Sequence, residues 1–244
     1  IWLTDIPIVL PQNELALLEI KPILFNCSTS YAPVITIKNG GQTTISTFNY
    51  TITSNGINYP GTWNGNLASE ETADVQLNPI NFPSGENPYT LDLQLVNDAY
   101  LDNNSENSSV YINQTGVTNQ VNTFTNTSDE LYSYSDDTIP LWTRGVRSQG
   151  LLNTNGNTVY TTNLNGNYPN NKTSYIVSNC YDLSLMTNPE VRFDMAFDIE
   201  EDWDFLVFEY SVNGGNTWEI LGEEGVDWYN SSTLPGNNCA NCPG

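Results

Sequence analysis

The chain has 244 residues, a length that suits two ordinary domains or one large β domain. Charged residues make up only 14%, and uncharged polar side chains, 35 of them asparagine, take their place, which favours strands and turns over helical bundles. Six Lys and Arg stand against 28 Asp and Glu, and the net charge of −22 would repel nucleic acid and anionic membranes; the absence of histidine excludes Ser-His-Asp and Cys-His catalysis and His-containing zinc sites.

No apolar run reaches the ~20 residues that span a bilayer. The chain lacks an initiator Met and a signal sequence, so it is expected to be a piece of a longer protein. Residues 1–13, IWLTDIPIVLPQN, read as the end of a preceding domain and a linker. The best helix candidate, NELALLEI (13–20), is short and runs straight into Lys21-Pro22. Strands are predicted next. APVITIKN (32–39) is β-branched and ends at the turn Asn39-Gly40-Gly41. TTISTFNYTIT (43–53) places Phe48, Tyr50 and Ile52 on one face. ETADVQL (71–77) turns Ala73, Val75 and Leu77 inward, and YTLDLQLV (89–96) does the same with Tyr89, Leu91, Leu93 and Leu95. Such period-2 alternation means one face buried and one wet. About seven short strands over ~100 residues predict an immunoglobulin-like sandwich, assigned to residues 14–115. Residues 97–128 form a polar stretch in which that sandwich ends.

The second half, 116–244, again reads as β. Its predicted strands are 157–164, 173–178, EVRFDMAFDIE (190–200), DFLVFEYSV (204–212) and 217–222. Long loops between them suggest a jelly-roll-type β-sandwich, with too few strands to close it, so this domain is expected to be incomplete at its C-terminus. The fold class is therefore all-β, an immunoglobulin-like sandwich followed by a jelly-roll-type sandwich.

The cysteines are Cys27, Cys180, Cys239 and Cys242. A four-cysteine zinc site usually needs two close pairs, and only the closing Cys239 and Cys242 form one, so no zinc is expected. A local Cys239–Cys242 disulfide in an oxidising compartment is the favoured reading, and the pairing of Cys27 and Cys180 stays open.

The first half resembles CARDB-type immunoglobulin-like modules of secreted bacterial proteins. The features that carry the likeness are VITIKNGGQTTISTFNYTI, WNGNLASEETADVQL and YTLDLQLVNDAYLDNNSENSS. The second half is similar to the MAM-like jelly rolls of secreted Bacteroidetes proteins, through LWTRG (141–145), TSYIVSNCYDLS (173–184) and the stretch 193–221. That resemblance implies a parent protein with a zinc metallopeptidase domain elsewhere and type IX secretion. SVNGGNTW (211–218) is similar to the Asp-box: Ser211, Gly215, Thr217 and Trp218 match, and Asn213 stands in place of the Asp. The likeness implies a structural hairpin whose Asn-Gly-Gly supplies positive φ angles.

Two constellations could carry chemistry. In DIEEDWDF (198–205), a continuing strand would point Asp198, Glu200, Asp202 and Asp204 the same way. They could hold calcium, act as a paired-carboxylate glycosidase, or form a solvated acidic hairpin. Trp203, Asp227, Trp228 and Tyr229 could form an aromatic platform with a hydroxyl-binding carboxylate, or cover a sheet end. The favoured function is a non-catalytic accessory region of a secreted or cell-surface protein that docks on an extracellular protein or polysaccharide or on other domains of its parent. The rivals are a jelly-roll glycosidase and a pure spacer.

Overall fold

The computed structural model describes residues 9–23, 25–126, 131–135, 140–148, 154–200, 203–225 and 228–230. The expected all-β class is borne out: the described residues hold sixteen strands, a single 3-10 turn at Leu101–Asn103 and no α-helix. The chain divides into two units at Asn113/Gln114, with Asn213–Asn216 grouping with the first. The predicted Cys239–Cys242 bridge lies outside the described residues.

In the first unit the strands are β1 (Leu15–Ile20), β2 (Phe25–Asn26), β3 (Ser30–Tyr31), β4 (Val34–Asn39), β5 (Ile45–Ser54), β6 (Ile57–Leu67), β7 (Thr72–Gln76), β8 (Ile80–Asn81), β9 (Gly85–Gln94) and β10 (Ser105–Ile112). They build a three-stranded sheet in the order β1-β4-β7 and a five-stranded sheet in the order β2-β10-β9-β5-β6. One core joins the inner faces of both, from Leu15, Ile35, Ile37 and Val75 on one side to Phe48, Tyr50, Ile52, Leu91, Leu93, Val110 and Ile112 on the other. The alternation dictates this packing, because each buried Ile or Leu contributes about 1.5–3 kcal/mol while its neighbours stay wet.

Within the stretch 13–20, Leu15–Ile20 forms β1. It pairs antiparallel with β4, Leu15 opposite Asn39 and Ile20 opposite Ile35, with a register shift between Leu17 and Glu19. Pairing along β4 outweighs the helix propensity of its leucines. Glu14, just before it, is buried. Its carboxylate accepts the Tyr100 N–H at 3.0 Å and an amide proton from Asn103 at 2.7 Å, which ties this end of the sandwich to the β9–β10 connection. Burial, with Asp98 nearby, holds the Glu14 carboxyl above the usual carboxylate range, against the opposing pull of Asn103 and Tyr100.

The predicted turn at Asn39 has a side-chain basis. Asn39 is fully buried. Its Nδ2 donates to the carbonyls of Thr43 and Leu67, each at 2.9 Å, and its Oδ1 accepts the Gly41 N–H at 2.9 Å. One amide thus closes the β4–β5 turn and fastens it to the end of β6.

In the second unit the described strands pair two by two, all antiparallel. β11 (Tyr132–Ser135) pairs with β14 (Ser174–Val177), β12 (Thr143–Val146) with β13 (Thr158–Thr161), and β15 (Glu209–Tyr210) with β16 (Glu219–Ile220). Tyr134 stacks on Tyr175 across the first ribbon, centroids 4.6 Å apart. Arg147 donates to the main-chain oxygens of Asn163 and Gly166, and Arg144 to that of Phe124 at 2.8 Å, so these cations brace loops.

The predicted strand 190–200 is corrected here. That segment has no ladder, and 204–212 contributes only Glu209–Tyr210. Alternation selects a face, but a strand exists only when a neighbour supplies the matching donors and acceptors. Among the described residues none does.

Candidate docking surface

Around the β15–β16 hairpin several aromatic residues come together: Phe193, Phe208, Trp228 and Tyr229. Ser211, Asn213, Gly215, Thr217 and Trp218 all lie in the connection between the two strands. Gly214 and Gly215 have φ of 71° and 89°, the left-handed region that the Asn-Gly-Gly sequence permits at no steric cost. Asn216 donates to the Asn213 carbonyl at 2.9 Å and tightens the loop. Beyond β16, the Leu221 N–H donates to the Phe208 carbonyl at 2.8 Å and extends the pairing by one bond.

Tyr229 anchors the next turn from beneath. It is one of the few buried residues in this part of the chain. Its hydroxyl accepts the Phe208 N–H at 2.9 Å and faces the carbonyls of Leu221 at 2.8 Å and Phe208 at 3.2 Å, to one of which it donates. Of the two sequence readings for Tyr229, cover fits this geometry, and stacking against a ligand does not. Trp228 is different: it is 43% exposed. Its ring lies over Gly222, where a Cβ would sit 2.4 Å from the indole Cδ2 and where φ is +96°, so any other residue there would displace the ring.

Trp228 belongs to a row. Phe193 stacks on Phe208 with centroids 5.3 Å apart and planes 6° from parallel, and Phe208 meets Trp228 at 6.4 Å. Trp228 meets Tyr229 at 5.9 Å. Phe193 and Trp203 are both at least half exposed. The outcome is an aromatic strip with a buried, hydrogen-bonded foot and open rings. The sequence pointed to Trp228 and Tyr229 but missed Phe193, Phe208 and Gly222. The two phenylalanines were visible only as members of strand faces, and nothing in the sequence announced that those faces would meet.

The acidic segment ends in a turn. The Glu200 carbonyl accepts the N–H groups of Trp203 at 3.2 Å and Asp204 at 3.0 Å. The Asp204 carboxylate accepts the Glu200 N–H at 3.3 Å and the Tyr168 hydroxyl proton. Burial and that carboxylate push the Tyr168 phenol up. The predicted single-face projection of Asp198, Glu200, Asp202 and Asp204 supposed a continuing strand, and none of the described members, Asp198, Glu200 and Asp204, lies in a strand. Asp202 and Asp227 lie outside the described residues. Among the described residues, no three His, Cys, Asp or Glu side chains come together as a metal ion requires. Of the three described members of the predicted calcium set, Asp204 is engaged by its own turn and by Tyr168.

Both described cysteines, Cys27 and Cys180, are disulfide-bonded. No helix among the described residues is long and apolar enough to cross a membrane.

No protein-family model matches the chain, and no curated protein matches it. Among solved structures, the chain is similar to the solution structure of a domain of a candidate cell-surface protein from Methanosarcina acetivorans, at 21% identity and a TM-score of 0.35, over 41% of this chain and 92% of that one. It is also similar to the crystal structure of the CARDB domain of a Pyrococcus furiosus protein in complex with di-metal ions, at 18% identity and a TM-score of 0.35, over 43% of this chain and 93% of that one. The solution structure of that CARDB domain gives 17% identity and a TM-score of 0.34, over 42% of this chain and 96% of that one.

Proposed function

We propose that this chain is a non-catalytic accessory region of a secreted or cell-surface protein, and that its second unit docks on an extracellular polymer. The observation that carries the reading is the aromatic row Phe193–Phe208–Trp228, open on one side and pinned at its foot by the buried Tyr229. Rings held in this way present their faces without an ordering cost at the moment of contact. The disulfide-bonded Cys27 and Cys180 suit an oxidising, extracellular setting. The sandwich of residues 14–115 serves as a rigid spacer. The MAM-like and Asp-box-like resemblances extend the reading to a multidomain bacterial parent in which another domain carries the chemistry.

The test is retention of the chain on insoluble collagen, cellulose, chitin, laminarin and alginate, each with calcium and with a chelator. Retention on one polymer is expected, with at least a tenfold loss in Trp228→Ala and unchanged near-ultraviolet circular dichroism. Calcium dependence would point to the 198–204 carboxylates. Retention nowhere by a folded chain would leave the spacer reading. Hydrolysis of any of the polysaccharides, abolished by Glu200→Gln with the fold intact, would replace docking by the glycosidase reading.

A further inference from the structure

From Pro189 to Glu200 the backbone runs without a helix, turn or bend, and every residue is exposed. Among the described residues, no backbone N–H or C=O of 189–199 bonds to another part of the chain. Val191, Phe193, Met195, Phe197 and Ile199 nevertheless keep strict alternation and are 36–54% exposed. This segment has the pattern of a half-buried strand without the hydrogen-bonded neighbour that such a strand requires, and its apolar side chains are only partly covered, Phe193 by Phe208. Unpaired strand edges and contiguous exposed apolar side chains both mark places where another chain adds.

We infer that residues 190–200 are a strand-addition site for an extended polypeptide segment that alternates apolar residues with Lys or Arg. Charge decides the occupant. At the other positions of the segment stand Glu190, Arg192, Asp194, Ala196, Asp198 and Glu200. Arg192 is already paired with Glu190 at 2.6 Å, which leaves Asp194, Asp198 and Glu200 as the charges that a neighbouring strand would meet. Opposite charges across a strand pair stabilise it and like charges destabilise it. A second copy of this chain brings a further −22 of charge, which opposes its approach. A cationic strand is complementary in both backbone and charge, and its apolar face would cover Phe193, Met195 and Phe197. This site goes beyond polymer docking: it works through main-chain pairing and shares only Phe193 with the aromatic row.

The probe is an eleven-residue peptide that alternates Val and Lys. Its controls are a peptide of the same composition with the residues in blocks, and the alternating peptide N-methylated on the amides of one edge and, separately, of the other. Binding to the full chain is read by fluorescence anisotropy. Carbon-13 labels in the peptide carbonyls report strand pairing through the infrared amide band. The alternating peptide is expected to bind at least tenfold more tightly than the block peptide and to shift its labelled band to the β position, with binding lost on N-methylation of one edge. The double variant Asp194→Lys, Asp198→Lys is expected to weaken it at least fivefold. That variant leaves the aromatic row in place and should retain any polymer bound by the parent chain, so failure of this inference is distinguishable from failure of the docking reading. Equal binding of alternating and block peptides, or undiminished binding of both N-methylated peptides, would overturn it.

Discussion

Tyr229→Phe removes one oxygen and almost no volume from the foot of the aromatic row, so it isolates hydrogen bonding from packing. In the wild type the hydroxyl accepts the Phe208 N–H at 2.9 Å and reaches the Leu221 carbonyl at 2.8 Å. The phenol has one proton, so the Leu221 and Phe208 carbonyls compete for it, and the hydroxyl makes two good bonds at a time. Each bond contributes about 0.5–1.5 kcal/mol net, so the loss is about 1–3 kcal/mol, with no cavity contribution. The effect is local, because the bonds join the Phe208 and Leu221 backbones of one hairpin to the turn that presents Trp228. Native-state amide exchange measured residue by residue by NMR is the suitable assay. At about 1.4 kcal/mol per factor of ten, the Phe208 amide should exchange roughly 5- to 150-fold faster in the variant, while the amides of Ile52 and Leu91 keep their wild-type rates. An unchanged Phe208 rate would refute the claim that Tyr229 is the foot of the row, and would reopen its ring as a ligand contact.

Two further outcomes test the sandwich. Asn39→Ala should cost about 2–4 kcal/mol in urea unfolding, because it leaves the Thr43 and Leu67 carbonyls and the Gly41 amide without their buried partner; a loss below ~1 kcal/mol would show that water replaces the amide. Glu14 should give a pH signature. Its folded pKa lies above its unfolded value, so the folded chain holds that proton more tightly. The stability it contributes is present in acid and is lost as pH rises through the unfolded and then the folded pKa. Relative to Glu14→Gln, which cannot titrate, the wild type should lose unfolding free energy across that window; a difference that stays constant with pH would refute the raised pKa.

The sandwich core was legible because its inner strands are wet on one face only. Phe48, Tyr50, Ile52, Val75, Leu77, Tyr89, Leu91 and Leu93 were all predicted inward and are all buried. The outer strands were harder to read. β6 carries Pro60 and Gly61 inside an exposed, polar sequence and pairs only with β5, so it is an edge strand, where a missing N–H costs nothing. β10 hides in the polar stretch because only Val110 and Ile112 of its residues are buried. β1 was not among the predicted strands because LALLEI does not alternate, and its pairing with β4 carries a register shift. The candidate docking surface was half legible. Trp228 is conspicuous in any sequence, but its support depends on Phe208 and Gly222, which come together only through the turn beyond β16.

The two units differ in what they do with the same pattern, and the docking proposal rests on that difference. Ile52 and Leu91 alternate with polar residues and are fully buried; Phe193 and Phe197 alternate equally well and remain half exposed. Burial of a side chain of this size stabilises by about 1.5–3 kcal/mol, so the open row in the second unit forgoes a contribution that the sandwich collects many times over. Exposed apolar surface of this kind invites association, which is what the retention assay reads. The charge of −22 opposes the approach of a second copy of this chain and attracts cationic groups. Exposed rings, an unpaired extended segment and a strongly acidic charge are the three observations on which the docking and strand-addition proposals stand, and polymer retention and peptide binding test them separately.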